Sequence, residues 1–290
     1  VASVGGGAVL AGRFAKLTMV TATVSSNTAV VTGGGVRAED KAQVSLTGIN
    51  FQSNTATGTT ATGGGLAIGG TAQMLALSGC TFSSNVARDG GGMWADTTQN
   101  ITMATPTFTS NVANQGSHGG GAYFGPTVAF VKMVGPMFTG NTATGTGGAI
   151  FFAGRSLKVS AGQGVKRPNM TEFDNATYSS CQFARNSAPA GGAISSSADE
   201  HAFTACNFLS NSAETNGAAV SFTSETQMMV NTTILKNLQF TNNAAPAGSG
   251  AGYYHMAINP IACTGCAYAG NVALFAPDFS SAASSIFLSM

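Results

Sequence analysis

The chain has 290 residues, of which 12 are Lys or Arg and 11 are Asp or Glu, so only 8% is charged and the formal net charge is +1. An ordinary soluble domain is roughly 25% charged, and so few basic residues cannot form the basic stripe of a nucleic-acid-binding protein. The apolar runs, such as Ala149–Ala153, are far shorter than the about 18 residues of a transmembrane helix. We therefore predict no nucleic-acid partner and no membrane span in this segment.

Each unit of an internal repeat begins with an alternating apolar segment. Apolar residues stand five and seven positions before an aromatic residue, as Leu75 and Leu77 do before Phe82. Alternation predicts a strand with one buried face. The alternation shifts phase two residues later, often at a glycine such as Gly79, which predicts a corner.

The aromatic residue opens the most regular part of the repeat. Asn follows it after two residues and Ala stands two positions further, as in Phe51, Asn54 and Ala56. The spacing between copies is 25 to 45 residues. The fixed asparagines are Asn27, Asn54, Asn85, Asn111, Asn141, Asn186, Asn211, Asn243 and Asn271.

A glycine cluster that runs into apolar residues closes each unit, as in Gly33–Val36 and Gly147–Ile150. We expect these glycines to allow a positive φ or a close backbone approach at a second corner. Three short strands and three turns per repeat are typical of one coil of a parallel β-helix. The sequence thus predicts an all-β, right-handed, single-stranded parallel β-helix of about nine to ten coils. The predicted β-helix covers residues 1–275, and residues 276–290 form a partial cap or a continuation of it.

Stacking of coils about 4.8 Å apart places like residues above one another. The fixed Asn then forms a ladder in which each amide donates to one neighbour and accepts from the other. Asn also tolerates the left-handed conformation of a corner. Ala follows where we expect room for only a methyl group.

The 45-residue spacing before Asn186 predicts a loop insertion at about 154–175. Long loops on regular scaffolds often carry function. The loop is a candidate binding site for an anionic glycan or a partner protein, and an ordinary solvated excursion is the alternative. Its basic residues are Arg155, Lys158, Lys166 and Arg167.

Acidic residues gather mainly around the same region. Asp174 and Asp199 each stand nine residues before the phenylalanine of their repeat, so they are expected to stack one coil apart. Close carboxylates perturb each other's pKa, and with His201 and Arg185 nearby they are weak candidates for a catalytic pair or a cation site. Two solvated loop acids that point apart are the favoured alternative. Glu172 and Glu200 adjoin them.

Five cysteines do not make a paired framework. Cys263 and Cys266 have no partners at zinc spacing, so no metal site is predicted, and a local disulfide is plausible in an oxidising compartment. Cys181 and Cys206 share one inward phase, where they either stack as thiols or form a bridge. No cofactor is predicted.

Glycosylation is permitted at four Asn-x-Ser/Thr sequences. The acceptors are Asn100, Asn169, Asn175 and Asn231. The chain begins without Met or a signal peptide, so we expect it to be part of a longer chain or an assembly.

The pairing of Phe-x-x-Asn with Gly-Gly-Ala-Ile resembles the repeats of the chlamydial polymorphic membrane proteins. Gly147–Ile150 and Gly191–Ile194 match the second motif letter for letter, and the resemblance extends from Gly5 to Ala273. Similar repeats occur in surface proteins of other bacteria and of algae. The resemblance implies a passenger domain of an autotransporter, exposed at the cell surface and active in adhesion.

We therefore predict a non-enzymatic structural or adhesive module that is extracellular or on the cell surface and contacts other surface proteins or glycans. One alternative is a carbohydrate-active enzyme or glycan-binding β-helix centred on Asp174 and Asp199. Another is a subunit of a surface or flagellar filament or lattice. Solenoids carry many functions, so the fold does not decide among these.

Overall fold

The alternating segments, aromatic segments and glycine clusters all form short strands of a parallel β-solenoid in the computed structural model. The structure describes residues 7–39, 41–70, 74–96, 100–154, 175–197, 200–223, 233–255, 261–281 and 286–289. Over these residues the chain consists of strands and turns and contains no helix.

Two walls of the solenoid are sheets of ten parallel strands each. The residues after the glycine clusters form the glycine-side sheet, whose strands are Val9–Ala11, Val36–Ala38, Leu66–Ile68, Met93–Ala95, Ala122–Phe124, Ile150–Phe152, Ile194–Ser196, Val220–Phe222, Tyr253–His255 and Phe279–Ser281. The alternating segments form the long-strand sheet, whose strands are Lys16–Val20, Gln43–Thr47, Met74–Ser78, Asn100–Ala104, Phe130–Val134, Asn175–Ser179, Glu200–Thr204, Thr233–Lys236, Ile261–Thr264 and Ile286–Ser289.

Two further walls contain nine strands each. The phenylalanine sheet consists of Thr23–Ser25, Asn50–Gln52, Thr81–Ser83, Thr107–Thr109, Met137–Thr139, Gln182–Ala184, Asn207–Leu209, Gln239–Thr241 and Ala267–Ala269. The alanine sheet consists of Thr28–Ala29, Thr55–Ala56, Val86–Ala87, Val112–Ala113, Thr142–Ala143, Ser187–Ala188, Ser212–Ala213, Ala244–Ser249 and Val272–Phe275. Each coil therefore has four strands. The prediction of three was wrong, because it assigned the short segment with the fixed Ala to a turn.

The coil count was also overestimated. The chain makes about eight turns, which are the turns from Asn27 to Asn271. The strands before the first of these residues and after the last belong to partial turns, and the expected nine to ten coils included them.

The core lies between the four walls and is built from residues that repeat in register. Phe82 pairs with Phe51 on one side and Phe108 on the other. The rings of this column, from Phe51 to Tyr268, stack with centroids 4.5–5.2 Å apart and planes within 8°. Stacked aromatic pairs contribute beyond the apolar area that they bury. The column thus fixes the register of every coil.

The corners follow the sequence pattern with one correction. Gly48, Gly79 and Gly135 have φ of 57–61° at the predicted corner before the phenylalanine sheet. At the next corner the left-handed residue is the one before the ladder asparagine, such as Ser84 with φ of 54°. The expectation that Asn itself occupies this conformation was wrong, because its side chain is needed inside the coil.

Candidate functional site

The nine asparagines form a continuous hydrogen-bonded ladder inside the solenoid. Each side-chain Nδ2 donates to the Oδ1 of the asparagine in the next coil over 2.9–3.0 Å. Seven of the nine side chains are buried: Asn54, Asn85, Asn111, Asn141, Asn186, Asn211 and Asn243. Buried amides are costly unless they are hydrogen-bonded.

Every polar group of an interior rung has a partner. Asn141 Nδ2 donates to the carbonyl of Phe108 at 2.9 Å and to Asn186 Oδ1 at 3.0 Å. Its own Oδ1 accepts from the backbone N–H and the Nδ2 of Asn111, at 3.0 and 2.9 Å. The amide therefore tethers its own coil to both neighbouring coils.

A carboxylate stands at the end of the ladder. Asn271 Nδ2 donates to Asp278 Oδ1 at 3.0 Å, where the Oδ1 of a further asparagine would otherwise accept. Asp278 also fixes the adjoining strand, since its carbonyl accepts from the N–H of Tyr253 at 3.0 Å. The last rung is thus satisfied without another repeat.

Most of the other predicted site residues lie outside the described part of the chain. This holds for the proposed carboxylate pair Asp174 and Asp199, for the basic residues Arg155, Lys158, Lys166 and Arg167, and for the acceptors Asn169 and Asn231. Asn175 begins a strand, but its side chain is not part of what the structure describes. Asn100 is exposed at the first position of its strand.

His201 lies in the core of the solenoid. Its side chain is buried in the core, where Nε2 lies 2.7 Å from the Oγ of Ser196 and the ring contacts Phe222 at 4.7 Å. Burial lowers the pKa of His201 to about 3, so the imidazole is neutral at ordinary pH. Arg185, the other expected neighbour, is exposed at the left-handed corner before Asn186.

The cysteines divide between core and corner. Cys263 and Cys266 form the local disulfide that their spacing suggested. Cys80, Cys181 and Cys206 are buried free thiols. Burial raises the pKa of Cys80, and a buried protonated thiol behaves as a small apolar side chain.

A row of rings on the outside of the glycine-side sheet is the most distinctive surface feature. Trp94, Tyr123 and Phe151 are paired in register on successive strands and are all half-buried. Their ring centroids are 6.4 and 5.4 Å apart. We call these three residues the outer aromatic row. Ala67 precedes it and Ser195 follows it in the same column.

Two carboxylates from the Trp94 coil reach into the Tyr123 coil, one on each side of Tyr123 along the chain. Asp89 Oδ1 accepts from the backbone N–H of His118 at 3.0 Å. Asp96 Oδ1 accepts from the Oγ1 hydroxyl of Thr127 at 3.2 Å. A Cβ on Gly125 would overlap the Asp96 carboxylate, so the absence of a side chain there makes room for it.

The electrostatics of Tyr123 and His118 reflect this arrangement. Burial, together with the carboxylates of Asp89 and Asp96, raises the pKa of Tyr123 to about 12. Burial lowers the pKa of His118 against the opposing effect of Asp89. His118 Nδ1 accepts from the N–H of Thr146 at 3.1 Å, and its ring stacks on Phe151 at 4.5 Å. Both rings are therefore neutral at pH 7.

The sequence analysis missed this face, although a signal was present. An aromatic residue stands two positions after the last residue of the glycine cluster in Gly90–Trp94 and Gly119–Tyr123, and at the equivalent phase in Gly147–Phe151. Among the described residues this position is aromatic in four coils, at Trp94, Tyr123, Phe151 and Tyr254, and not in the others, so it is not a fixed position of the repeat.

The fold and the ladder define a repeat protein of the parallel β-solenoid class. Residues 137–153 match the model of the Chlamydia polymorphic membrane protein (Chlamydia_PMP) repeat. This stretch contains the strand Met137–Thr139, the rung Asn141 and the strand Ile150–Phe152. The resemblance inferred from the motifs is confirmed, and the chain carries a repeat similar to those of that family. No curated protein and no solved structure matches the chain.

The described residues include no helix with the length and apolar character that a membrane crossing requires. They also contain no group of three or more His, Cys, Asp or Glu side chains arranged to hold a metal ion.

Proposed function

We propose that this chain is a right-handed, non-enzymatic β-helix of an extracellular or cell-surface protein, where it acts as a rigid structural and adhesive module. Surface contacts are made with other proteins or glycans through its outer faces. The match at residues 137–153 supports this role, because the repeats of that family belong to surface-exposed passenger-like proteins.

The continuous asparagine ladder is the observation that carries the proposal. Each interior amide ties three coils together through the contacts described above, so the buried side-chain amides of the ladder are hydrogen-bonded along the axis. The interior residues therefore maintain a rigid shape. Function is left to the outer surface, as in other solenoids.

The exterior suits an exposed module with few charges. At the corner before the ladder, exposed uncharged hydroxyls recur at Ser26, Ser53, Ser84, Ser110 and Ser210. Like charges stacked about 4.8 Å apart would repel along the solenoid. Neutral polar columns solvate the surface without that repulsion, which accounts for the low charge of the chain.

Surface location is tested by labelling intact source cells with an antibody raised against the purified, folded chain. The proposal predicts labelling without permeabilisation and its loss when the cells are treated with an external protease. Labelling that requires permeabilised cells would contradict it.

Adhesion and catalysis are tested separately. Beads coated with the folded chain should attach to cells or surface extracts, and beads coated with the heat-denatured chain should not.

Incubation with pectin-like and sulfated polysaccharides should release no reducing ends. Cleavage that disappears in Asp174→Asn or Asp199→Asn would replace the structural role with the enzymatic alternative.

A further inference from the structure

We infer that the outer aromatic row, together with Asp89 and Asp96, binds an extended basic peptide segment of a partner protein. This inference deepens the proposed surface role by naming the chemistry of the partner, and it rests on that role. The rings of Trp94, Tyr123 and Phe151 form the platform, and the two carboxylates stand beside it.

Aromatic rings and carboxylates together favour a cation. Guanidinium and ammonium groups are attracted to the faces of Trp and Tyr rings, and carboxylates form charge-assisted hydrogen bonds with guanidinium groups. Asp89 and Asp96 reach the coil of Tyr123 on its two sides, through His118 and Thr127. A cation above Tyr123 would meet both kinds of partner at once.

Among the described residues beside the row, the charge balance is negative. Arg88 is the neighbouring cation, and its guanidinium is held by Ser117 Oγ, 3.1 Å from Nε, and by the carbonyl of Thr59. Two carboxylates and one guanidinium leave a net charge of −1. Further along the same column, Arg37 is paired with Glu39 at 2.6 Å. Charge complementarity therefore favours a basic partner and opposes an acidic one.

The spacing of the row suits an extended peptide that runs along the solenoid axis. The ring centroids are 6.4 and 5.4 Å apart. Alternate residues on one face of an extended chain are about 7 Å apart. Alternate side chains of such a peptide would thus follow the direction of the row and pass Trp94 and Tyr123, so basic residues at alternate positions are the preferred pattern.

Trp94 reports directly on this face because it is the single tryptophan of the chain. The full chain is titrated with a peptide of alternating Arg and Gly, with a peptide of alternating Glu and Gly, and with maltohexaose. Binding is followed by Trp94 fluorescence and by calorimetry. We expect saturable binding of the Arg peptide alone, and its weakening as salt is raised.

The variant Asp89→Asn/Asp96→Asn removes both charges and keeps an Oδ1 acceptor for His118 and Thr127. It should bind the Arg peptide about tenfold more weakly. The control Glu214→Gln removes an exposed carboxylate from another coil, and its affinity should equal that of the parent chain. Circular dichroism verifies that each variant is folded.

Three results would overturn the inference: no saturable binding of the Arg peptide, equal affinity of the double variant, or tighter binding of maltohexaose than of the Arg peptide. The cell-labelling experiment is independent of these. If intact cells are labelled and the Arg peptide does not bind, the partner chemistry is wrong and the surface role stands. If labelling requires permeabilisation, the surface role fails whatever the peptide does.

Discussion

The asparagine ladder and the phenylalanine column repeat from coil to coil, whereas the outside of the glycine-side sheet changes. Inside, Phe51, Phe82 and Phe108 stack on one another, and the asparagines do the same. The outward column at the middle of the glycine-side strands contains, in chain order, Arg37, Ala67, Trp94, Tyr123, Phe151, Ser195 and Ser221. An asparagine rung needs another asparagine one coil away for its hydrogen bonds, whereas a residue of the outward column needs no copy of itself. Repetition thus marks what holds the fold, and departures from it mark where recognition can develop.

The largest expected effect comes from breaking the ladder in the middle. Asn141→Ala leaves the buried backbone N–H of Asn111 without a partner, and it removes one of the two hydrogen bonds made by Asn111 Nδ2 and one of the two accepted by Asn186 Oδ1. The unpartnered N–H costs about 1–3 kcal/mol and each lost hydrogen bond about 0.5–1.5 kcal/mol, so we expect a loss of about 4 kcal/mol in the free energy of unfolding. Denaturant and thermal unfolding measure it.

An exposed asparagine provides the matched control. Asn207 points outward from the phenylalanine sheet, and Asn207→Ala should change stability by less than about 0.5 kcal/mol. Equal losses in the two variants would show that the interior and exterior asparagines do not differ.

A slightly smaller loss is expected where the glycine cluster packs against the neighbouring coil. A Cβ on Gly120 would overlap the backbone carbonyl oxygens of Thr142 and Gly148, so Gly120→Ala should cost about 3 kcal/mol. Gly116 has φ of 75° and open space around it, so Gly116→Ala should cost only about 1 kcal/mol. If thermal melting ranks the two variants the other way, close coil packing is not the reason for these glycines.

His201 should make stability depend on pH. Its pKa is about 3 in the folded chain, against 6.5 for an exposed histidine. As pH falls below 6.5 the unfolded chain binds a proton that the folded chain does not, so the contribution is lost between pH 6.5 and 3. At pH 5 we expect a loss of about 2 kcal/mol. In His201→Phe the drop in melting temperature between pH 7.5 and 5 should be smaller than in the parent chain. A drop of the same size would contradict the burial of His201.

A substitution at the end of the ladder should lower the stability of the chain less than one in its middle. Asp278→Ala removes one exposed acceptor from Asn271 and should cost about 1 kcal/mol. Asp278→Asn keeps an acceptor and should melt close to the parent chain. A loss in Asp278→Asn as large as in Asp278→Ala would assign the effect to the charge instead of the hydrogen bond.

The smallest effect on stability is expected at the carboxylates beside the outer aromatic row. Asp96→Asn keeps an acceptor for Thr127 and should change unfolding by less than about 0.5 kcal/mol, although we expect it to weaken binding of the Arg peptide. A large loss of stability would mean that the outer face, like the interior, is needed to hold the fold.

The sequence predicted the parts of the structure that depend on repetition. The rungs Asn27 to Asn271, the glycine corners and the buried alternate residues follow from period and phase alone. The fourth strand could not be seen, because a two-residue strand such as Thr28–Ala29 has no period. The position of the carboxylates beside the outer aromatic row could not be predicted either, since it depends on how Asp89 and Asp96 of one coil reach the next coil.

The central claim is that buried side-chain amides hold the coils together, and selective ¹⁵N labelling of asparagine tests it most directly. Hydrogen exchange of the side-chain NH₂ groups is then followed by nuclear magnetic resonance. We expect slow exchange for the seven buried asparagines and fast exchange for exposed ones such as Asn207. Fast exchange of every asparagine side chain would contradict it.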